Sequence, residues 1–352
     1  MPAQICHLLF AEEALREALG GDARGLLERQ GNLFRFGAQG PDFFYHNQRT
    51  MPTGLKYGVA AHREGYGRLT AHLVREIRHL AAQSICTPAT LEELTAFSLG
   101  WVTHAFLDRA THPFIEYFSG WVDPAKPETA KYFRCHIFYE RILDVLTLRR
   151  RRSLEAAAFP LAAQLDCGER LPYPLVKALL KALNTAYPRM NFKSRDRRRI
   201  ENAYGDARFF HTYTDPGETR YRQLAVERDR TDPRRRLALF HPAVLPGDID
   251  FLNEGRAAWR HPCRGERTST ASFPELYDQA REAAVPAVRL LADALAEGPA
   301  GRAGPEEVEA AVGNASLNTG LERSERCALE HCAPLPLPEL LDALYREVPP
   351  SN

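Results

Sequence analysis

Apolar residues recur along most of this chain at intervals of three and four, the spacing of a helix with one buried face. Positions 5–19 give the first example, and Gly20 with Gly21 ends that pattern. The same spacing predicts further helices at 22–30, 62–83, 90–112, 127–150, 174–187, 197–214, 218–236, 272–295 and, more weakly, 306–313. Alternation of apolar and polar positions, typical of strands, forms no run of any length. The pattern therefore predicts an all-α fold with long connecting loops.

Local signals predict where the central helices begin and end. The sequence Thr90-Leu91-Glu92-Glu93 has the form of a capping box, which marks a helix start. Pro113 predicts the end of that helix directly after His112, because proline has no amide hydrogen and restricts the preceding residue. Gly40-Pro41-Asp42 predicts an irregular turn that can direct Asp42 inward.

Two stretches interrupt the helical pattern near the carboxyl end. Residues 237–272 are punctuated by proline and glycine, and loops of that length are usually functional or tightly packed. Residues 298–305 are small and form a linker, which a short helix and a proline-rich tail follow. We therefore predict a helical domain at 1–297 and, at 298–352, a linker and a proline-rich tail with short helices.

Composition excludes some classes of protein. The 352 residues are 44% hydrophobic, enough for a large core, and 46 basic residues balance 45 acidic ones. Since a near-neutral chain lacks the field that holds nucleic acid, we expect no stable nucleic-acid partner. The start of the chain shows no basic segment followed by an apolar run, and no 18 consecutive residues are apolar, which predicts a cytoplasmic location.

The seven cysteines are odd in number and have no paired spacing, so we expect reduced thiols rather than a disulfide framework. Cys327, His331 and Cys332 lie close together in the sequence. That group lacks the fourth ligand of a closed zinc site, which makes it a weak candidate.

The strongest chemical signal is a ladder of polar residues on the central predicted helix. His104, Asp108 and His112 follow one another at four-residue steps and so lie on one helical face. Apolar neighbours would bury that face, and a buried stripe of histidine and aspartate is costly without a charged partner. Imidazole and carboxylate together suit zinc. His136 and Glu140 repeat the same spacing on the next helix.

A single histidine near an apolar face is more often a hydrogen-bonded core residue, but two helices with the same spacing favour a multinuclear metal site. Ferritin-like di-iron sites use Glu-x-x-His with mostly carboxylate ligands, unlike this histidine-rich set. Neither the His-Asp dipeptide of another phosphohydrolase class nor the His-Glu-x-x-His motif of zincin proteases occurs. A helical zinc cluster remains.

The order of these residues resembles a known family. The matching motifs are His7, Gly40-Pro41-Asp42, His62, His104-x-x-x-Asp108-x-x-x-His112-Pro113 and His136-x-x-x-Glu140. In this order they are similar to the bacterial zinc-dependent phospholipase C family, whose all-helical fold is related to the S1/P1 nucleases. Three later stretches are similar to intracellular members, namely Leu252-Asn253, Trp259 to Pro262 and Ser272-Phe273. The resemblance extends to about residue 297.

The resemblance implies the metal ligands. The set for one zinc is Asp42, His62, His104 and Asp108, and the set for a second is His112, His136 and Glu140. A third zinc would take Asp108 as a bridge, His7 and the amino terminus. Two features depart from the secreted members: Asp108 and His112 are closer in sequence, and the processed terminus would be Pro2 rather than a tryptophan.

The resemblance also implies the reaction. Zinc ions would activate a water for attack on phosphorus, and Asp42 would orient or deprotonate that water. The substrate would be a phospholipid, cleaved to a phosphomonoester and diacylglycerol, with peripheral membrane contact. Two alternatives stay open: a nuclease or nucleotide phosphodiesterase on the same fold, and a non-catalytic metal-stabilised binding protein.

Two further features bear on the substrate. Basic runs at 149–152, 193–199 and 234–236 could meet anionic lipid or nucleic acid, although helix ends and solvated faces usually look the same. Aromatic residues near the predicted site could form a cage for a choline headgroup or belong to the core. These residues are Phe43, Phe44, Tyr45 and Tyr57.

Overall fold

The computed structural model describes residues 4–83, 86–190, 196–296, 303–323, 325 and 327–347. Thirteen α-helices lie in these ranges: α1 Gln4–Leu19, α2 Gly21–Ala38, α3 Leu55–Arg63, α4 Tyr66–Ala82, α5 Pro88–Ser119, α6 Cys135–Arg152, α7 Leu161–Leu165, α8 Tyr173–Ala186, α9 Arg197–Tyr213, α10 Arg220–Thr231, α11 Phe273–Leu295, α12 Pro305–Val312 and α13 Leu337–Glu347. Short 3-10 helices occupy Gly40–Phe44, Pro127–Tyr132, Ala156–Ala158, Pro188–Met190 and Arg236–Leu239. The strands β1 Trp259–His261 and β2 Arg264–Ser269 form one antiparallel hairpin in the described part of the chain. The all-α prediction is confirmed.

Helix α5 is the centre of the fold. It has 32 residues and packs against α2, α11, α1 and α6. Its crossing with α2 is close because glycine occupies both sides of the contact. A β-carbon on Gly100 would collide with the Phe34 carbonyl, and one on Gly37 would collide with the Phe97 carbonyl. These two glycines therefore fix the distance at which the histidine ladder of α5 faces α2.

The prediction that Pro113 ends the central helix is wrong. Helix α5 continues through Pro113 to Ser119. A proline inside a helix removes one hydrogen bond, but Phe114, Ile115 and Phe118 beyond it are buried in the core. Their burial offsets the lost bond, since burying each side chain contributes about 1.5–3 kcal/mol.

Four other predicted boundaries are corrected. Helix α2 passes Gly31 and reaches Ala38, with one non-helical residue at Gln30. His62 lies in the last turn of α3 rather than at the head of the next helix, because Gly65 adopts a left-handed conformation between α3 and α4. Helix α5 starts at Pro88 with Thr87 as its cap. The predicted helix 127–150 is divided into a 3-10 helix and α6.

Other elements follow the sequence closely. The predicted helices at 5–19, 174–187 and 197–214 are α1, α8 and α9, whereas the one at 218–236 is shortened to α10. The capping box at Ser272 and Glu275 is formed at the start of α11. Helix α13 lies in the tail, for which short helices were predicted without bounds. Along the described residues, no helix combines the length and apolar character needed to cross a membrane.

The expectation of reduced thiols is wrong for one pair. Cys263, in the turn of the hairpin, is disulfide-bonded to Cys327, with 5.0 Å between their Cα atoms. The two cysteines are 64 residues apart, and only the folding of the tail onto the hairpin brings them together. Cys6, Cys86, Cys135, Cys167 and Cys332 are free thiols.

A buried polar network fixes the start of α1. Asp144 on α6 accepts a hydrogen bond from the Cys6 amide at 2.7 Å, and its other oxygen contacts His241 Nε2 at 2.9 Å. Arg141 on the same helix donates to the Gln4 side chain at 2.7 Å. These residues are buried and connected by these contacts, so the chain immediately before His7 has little freedom.

Candidate metal centre

The structure brings the eight residues predicted as metal ligands into one cluster. They come from five elements: His7 from α1, Asp42 from the 3-10 helix Gly40–Phe44, His62 from α3, His104, Asp108 and His112 from α5, and His136 and Glu140 from α6. Seven of the eight are buried, and His136 is partly exposed. The four-residue steps on α5 and α6 place their ligands on the helix faces that point at one another.

Asp108 lies at the middle of the cluster. Its Oδ1 is 3.1 Å from His7 Nε2 and 3.8 Å from His112 Nε2. Its Oδ2 is 3.0 Å from His104 Nε2 and 3.7 Å from His62 Nε2. Each oxygen therefore faces a different pair of histidines, which is the arrangement that a bridging carboxylate requires.

The remaining contacts define two groups on either side of Asp108. In the first, Asp42 Oδ1 is 2.9 Å from His62 Nε2 and Asp42 Oδ2 is 3.6 Å from His104 Nε2. In the second, Glu140 Oε1 is 3.0 Å from His136 Nε2 and 3.6 Å from His112 Nε2. The resemblance implies these sets for the first and the second zinc, and that assignment stays a prediction.

The outer ring nitrogens of three histidines donate to backbone carbonyl oxygens. His62 Nδ1 contacts the Gly58 carbonyl at 2.8 Å, His104 Nδ1 that of Ala38 at 3.2 Å, and His112 Nδ1 that of Leu317 at 3.1 Å. A neutral imidazole held in this way presents the lone pair of Nε2 to the cluster. Metal-bound histidines are oriented by the same kind of bond.

The donor set fits a divalent cation. His104 is held through Nδ1, so the lone pair of its Nε2 faces oxygens of Asp42 and Asp108, and acceptors in contact repel each other unless a cation lies between them. Asp42 Oδ2, His104 Nε2 and Asp108 Oδ2 are buried and make no hydrogen bond with the described residues. Two donors at about 2.0–2.1 Å from one tetrahedral zinc are about 3.4 Å apart, which the nitrogen–oxygen distances of the cluster bracket.

The electrostatics of the cluster depend on these contacts. Burial opposes ionisation of Asp108, but His104 and His112 hold the pKa of its carboxyl well below the usual range. Burial likewise opposes protonation of His136, yet Glu140 and Glu116 raise its pKa to about 10. For His104, burial outweighs its carboxylate neighbours and lowers the pKa. The Asp108 carboxylate is therefore charged and can bind a cation.

Glu116 belongs to the site although the sequence analysis missed it. Its carboxylate is 3.3 Å from His136 Nδ1, on the side of the ring opposite Glu140. Glu116 continues the ladder of α5 by one more four-residue step after His112. The four-residue spacing indicates Glu116, but the prediction that the helix ends at Pro113 left Glu116 outside the helix.

The tail is a second part of the site that was missed. The Leu317 amide donates to the His62 carbonyl at 2.8 Å, and the Leu317 carbonyl accepts from His112. Arg109 on α5 donates to the carbonyl oxygens of Val312, Gly313 and Ala315. Residues 312–317 therefore fix the backbone of His62 and the ring of His112. The domain boundary at residue 298 stays a prediction. The contact between the tail and the metal centre was not predicted.

Gly40 allows Asp42 and His104 to approach each other. Its φ is +54°, and a β-carbon there would collide with the His104 ring. Only glycine combines that backbone conformation with the required space.

We expect Gly40→Ala to lower zinc content by about one ion per chain, because the methyl group displaces His104. The left-handed backbone adds a loss of about 1–3 kcal/mol in the free energy of unfolding. Gly168→Ala is the matched control, since Gly168 has φ +90° with nothing within 4 Å of an added β-carbon. Elemental analysis and urea unfolding of both variants separate the two effects. Equal zinc content in the two variants would contradict the positioning role of Gly40.

An open cleft of about 510 Å³ leads from the surface to the second group. His62, His112, Glu116 and His136 line its floor, and Tyr45 lines its wall. Phe43, Phe44 and Tyr57 are fully buried core residues, so only Tyr45 of the four aromatic candidates borders this cleft.

His7 contacts Asp108 as the third zinc set requires. The amino terminus, the other member of that set, lies outside the described residues.

Comparison with known proteins gives one result. A family model described as zinc dependent phospholipase C matches residues 6–193, which is more than half of the chain and includes all eight clustered residues. No curated protein and no solved structure matches.

Proposed function

The chain belongs to the zinc-dependent phospholipase C family, and we propose that it hydrolyses the phosphodiester bond between the glycerol and the headgroup phosphate of a phospholipid. The observation that supports this most is the position of Asp108, whose two oxygens face histidines of separate ligand groups. A carboxylate in this position would offer one oxygen to each group, as a two-metal phosphoryl-transfer site requires.

The ligand sets proposed for zinc are those of the two groups. Asp42, His62, His104 and Asp108 would hold one ion, and His112, His136 and Glu140 a second; His7 with Asp108 offers part of a third set. Zinc bound there supplies Lewis acidity toward the phosphoryl oxygens and lowers the pKa of a bound water.

We assign the proton transfer to Asp42. Its Oδ1 contacts His62, whereas its Oδ2 is buried without a hydrogen bond from the described residues and is free to accept one from a water. Asp42 would orient that water toward phosphorus and take its proton as the P–O bond forms. The bond to the glycerol oxygen breaks, and the proton passes to that oxygen. The products are the headgroup phosphomonoester and diacylglycerol.

The rim of the cleft is suited to the lipid part of the substrate. Val122, Phe133 and Leu329 line the cleft and are 42%, 45% and 38% exposed. Large apolar side chains that stay exposed around a cleft often mark a lipid or ligand contact. We propose that this rim contacts the glycerol and the first carbons of the acyl chains at the membrane surface.

The test measures zinc per chain and phospholipid hydrolysis on the full chain purified without chelators. Wild type should contain two or three zinc ions and release diacylglycerol, and His104→Ala should lose at least one ion and the activity. Cleavage of single-stranded DNA without lipid hydrolysis would favour the nuclease alternative. Bound zinc that raises thermal stability while no phosphodiester is cut would favour a binding protein. Less than one zinc per chain would refute the metal site.

Glu116 should act through His136 rather than on the substrate. We expect Glu116→Gln to weaken zinc binding at the second group by about 10–100-fold, since partners of this kind orient the ligand ring and raise its basicity. Competition with a chromogenic chelator measures the affinity. Glu128→Gln, an exposed change outside the cleft, is the control of equal charge. Unchanged zinc affinity in Glu116→Gln would assign Glu116 to the solvated rim instead.

A further inference from the structure

A second cleft adjoins the one above the metal centre. Its volume is about 580 Å³, and Tyr45, Arg134 and Ile137 line both clefts. The two therefore form one continuous surface. The first cleft has the metal ligands and the apolar rim, and the second extends away from them along α9 and α10.

Arginine dominates the lining of the second cleft. Arg49, Arg134, Arg228 and Arg236 line it, and Asp206 is the acidic residue that faces them. Oδ2 of Asp206 accepts hydrogen bonds from the Asn47 side chain and from the amides of Arg49 and Thr50, at 2.8–3.0 Å. That oxygen is therefore occupied by its own loop, and among the described residues Asp206 forms no ion pair with these arginines.

Three of these arginines are available to a ligand. Arg236 is paired with Asp229 and Asp232, but Arg49, Arg134 and Arg228 form no ion pair with the described residues. The Arg134 Nη1 is buried and makes no hydrogen bond with those residues either. Arg49 stacks over the exposed Phe209 ring, 3.5 Å from its centroid, which holds its guanidinium in place.

The basic runs of the sequence behave differently. Arg149, Arg150, Arg151 and Arg152 all form ion pairs with glutamate or aspartate. Residues 193–195 of the second run lie outside the described residues. The unpaired positive charge beside the metal centre thus comes from scattered positions that show no run in the sequence.

We propose that this arginine cleft binds a second phosphate group, carried by the headgroup of the substrate phospholipid. The inference rests on the proposed function and names the class of its substrate. Guanidinium groups bind phosphate oxygens through paired hydrogen bonds, and a buried unpartnered Nη1 provides a strong donor. A cationic headgroup such as choline would instead meet like charge, and three of the four aromatic candidates for a choline cage are buried.

The two clefts give the substrate one orientation. The apolar rim contacts the glycerol side of the phosphodiester, the metal ligands surround the phosphodiester itself, and the arginines receive the headgroup beyond it. Water adds to the diester phosphorus, the bond to the glycerol oxygen breaks, and that oxygen takes a proton. The products are diacylglycerol and a headgroup that carries two phosphomonoesters.

The test compares two short-chain lipids below their micelle concentration, so that attraction to a membrane surface plays no part. The lipids are dihexanoyl phosphatidylinositol 4-phosphate and dihexanoyl phosphatidylcholine, and the zinc-loaded full chain is assayed for diacylglycerol release. We expect kcat/KM to be at least about tenfold higher for the first lipid, since a charged hydrogen bond contributes about that factor or more. The ratio should fall about tenfold in the double variant Arg49→Gln, Arg228→Gln.

The matched control is the double variant Arg170→Gln, Arg189→Gln. Both residues are exposed, form no ion pair with the described residues and line neither cleft, and the change in net charge is the same. Its ratio should equal that of wild type. Arg134→Lys, which keeps the charge and removes the planar donor fork, should also lower the ratio.

Each of the other outcomes leads to a different conclusion. If both lipids are hydrolysed and the ratio of their kcat/KM values is the same in every variant, the headgroup inference is overturned and the proposed function stands. No hydrolysis of any phospholipid would refute the proposed function itself. If the cleft takes free phosphate instead, inorganic phosphate would alter phosphatidylcholine hydrolysis in wild type but not in the Arg49, Arg228 variant, without a headgroup preference. Oligonucleotide cleavage that depends on these arginines would assign the cleft to nucleic acid and overturn the inference.

Discussion

Asp108→Asn should abolish activity and remove more than one zinc ion per chain. The carboxylate faces His104 of the first group and His112 of the second, and an amide keeps the volume while losing the charge and one acceptor oxygen. Metal-ion catalysis contributes several kcal/mol to the barrier, so its loss should lower kcat by at least about a hundredfold. Elemental analysis and diacylglycerol release measure the two effects.

Two measurements keep this result interpretable. Asp248→Asn removes the same charge at an exposed position and should match wild type in zinc content and rate. Thermal unfolding shows whether Asp108→Asn is still folded. A folded Asp108→Asn protein with full zinc and at least one tenth of the wild-type rate would contradict the bridging position of Asp108.

The ligand ladder could be predicted because it is local. His104, Asp108 and His112 follow one helical period, and His136 with Glu140 repeats it, so periodicity alone places each set on one face. The helical fold class was predictable for the same reason. The family match then agrees with the resemblance, although the role of each residue stays a proposal.

The parts that could not be predicted depend on contacts between distant segments. Leu317 forms hydrogen bonds with His62 and His112, which lie more than 200 residues earlier in the chain, and no sequence spacing predicts these contacts. The Cys263–Cys327 bond is of the same kind. The prediction that Pro113 ends the helix failed because the burial of the residues after it outweighs the preference of proline against helix.

The arginine cleft shows a further limit of the sequence. Arg49, Arg134 and Arg228 come from three separate segments of the chain, and none stands in a basic run. Most arginines of the basic runs that the structure describes are ion-paired. The unpaired arginines beside the metal centre are therefore brought together by the fold, and the charge density along the sequence does not indicate them.

Removal of zinc should lower both activity and stability. We expect a strong chelator to abolish hydrolysis and to decrease Tm by several degrees, because each site contributes about 4 kcal/mol when free zinc exceeds its Kd a thousandfold. Zinc should restore both, whereas magnesium should not, since imidazole-rich sites favour zinc and magnesium prefers oxygen ligands. A chelator that leaves Tm unchanged would show that zinc does not hold these helices together.

The stabilisation by zinc should grow with pH. Without zinc, Glu140 and Glu116 raise the pKa of His136 to about 10, against about 6.5 in an unfolded chain. A raised pKa stabilises the metal-free fold fully below about pH 6.5, and this contribution is lost as the pH rises through about 10. Zinc requires neutral His136 and must displace its proton, so a higher pH strengthens binding while it weakens the metal-free fold. We therefore expect the difference in Tm between zinc-loaded and chelated protein to be larger at pH 8 than at pH 6. A smaller difference at pH 8, measured by differential scanning calorimetry, would show that His136 is not a zinc ligand.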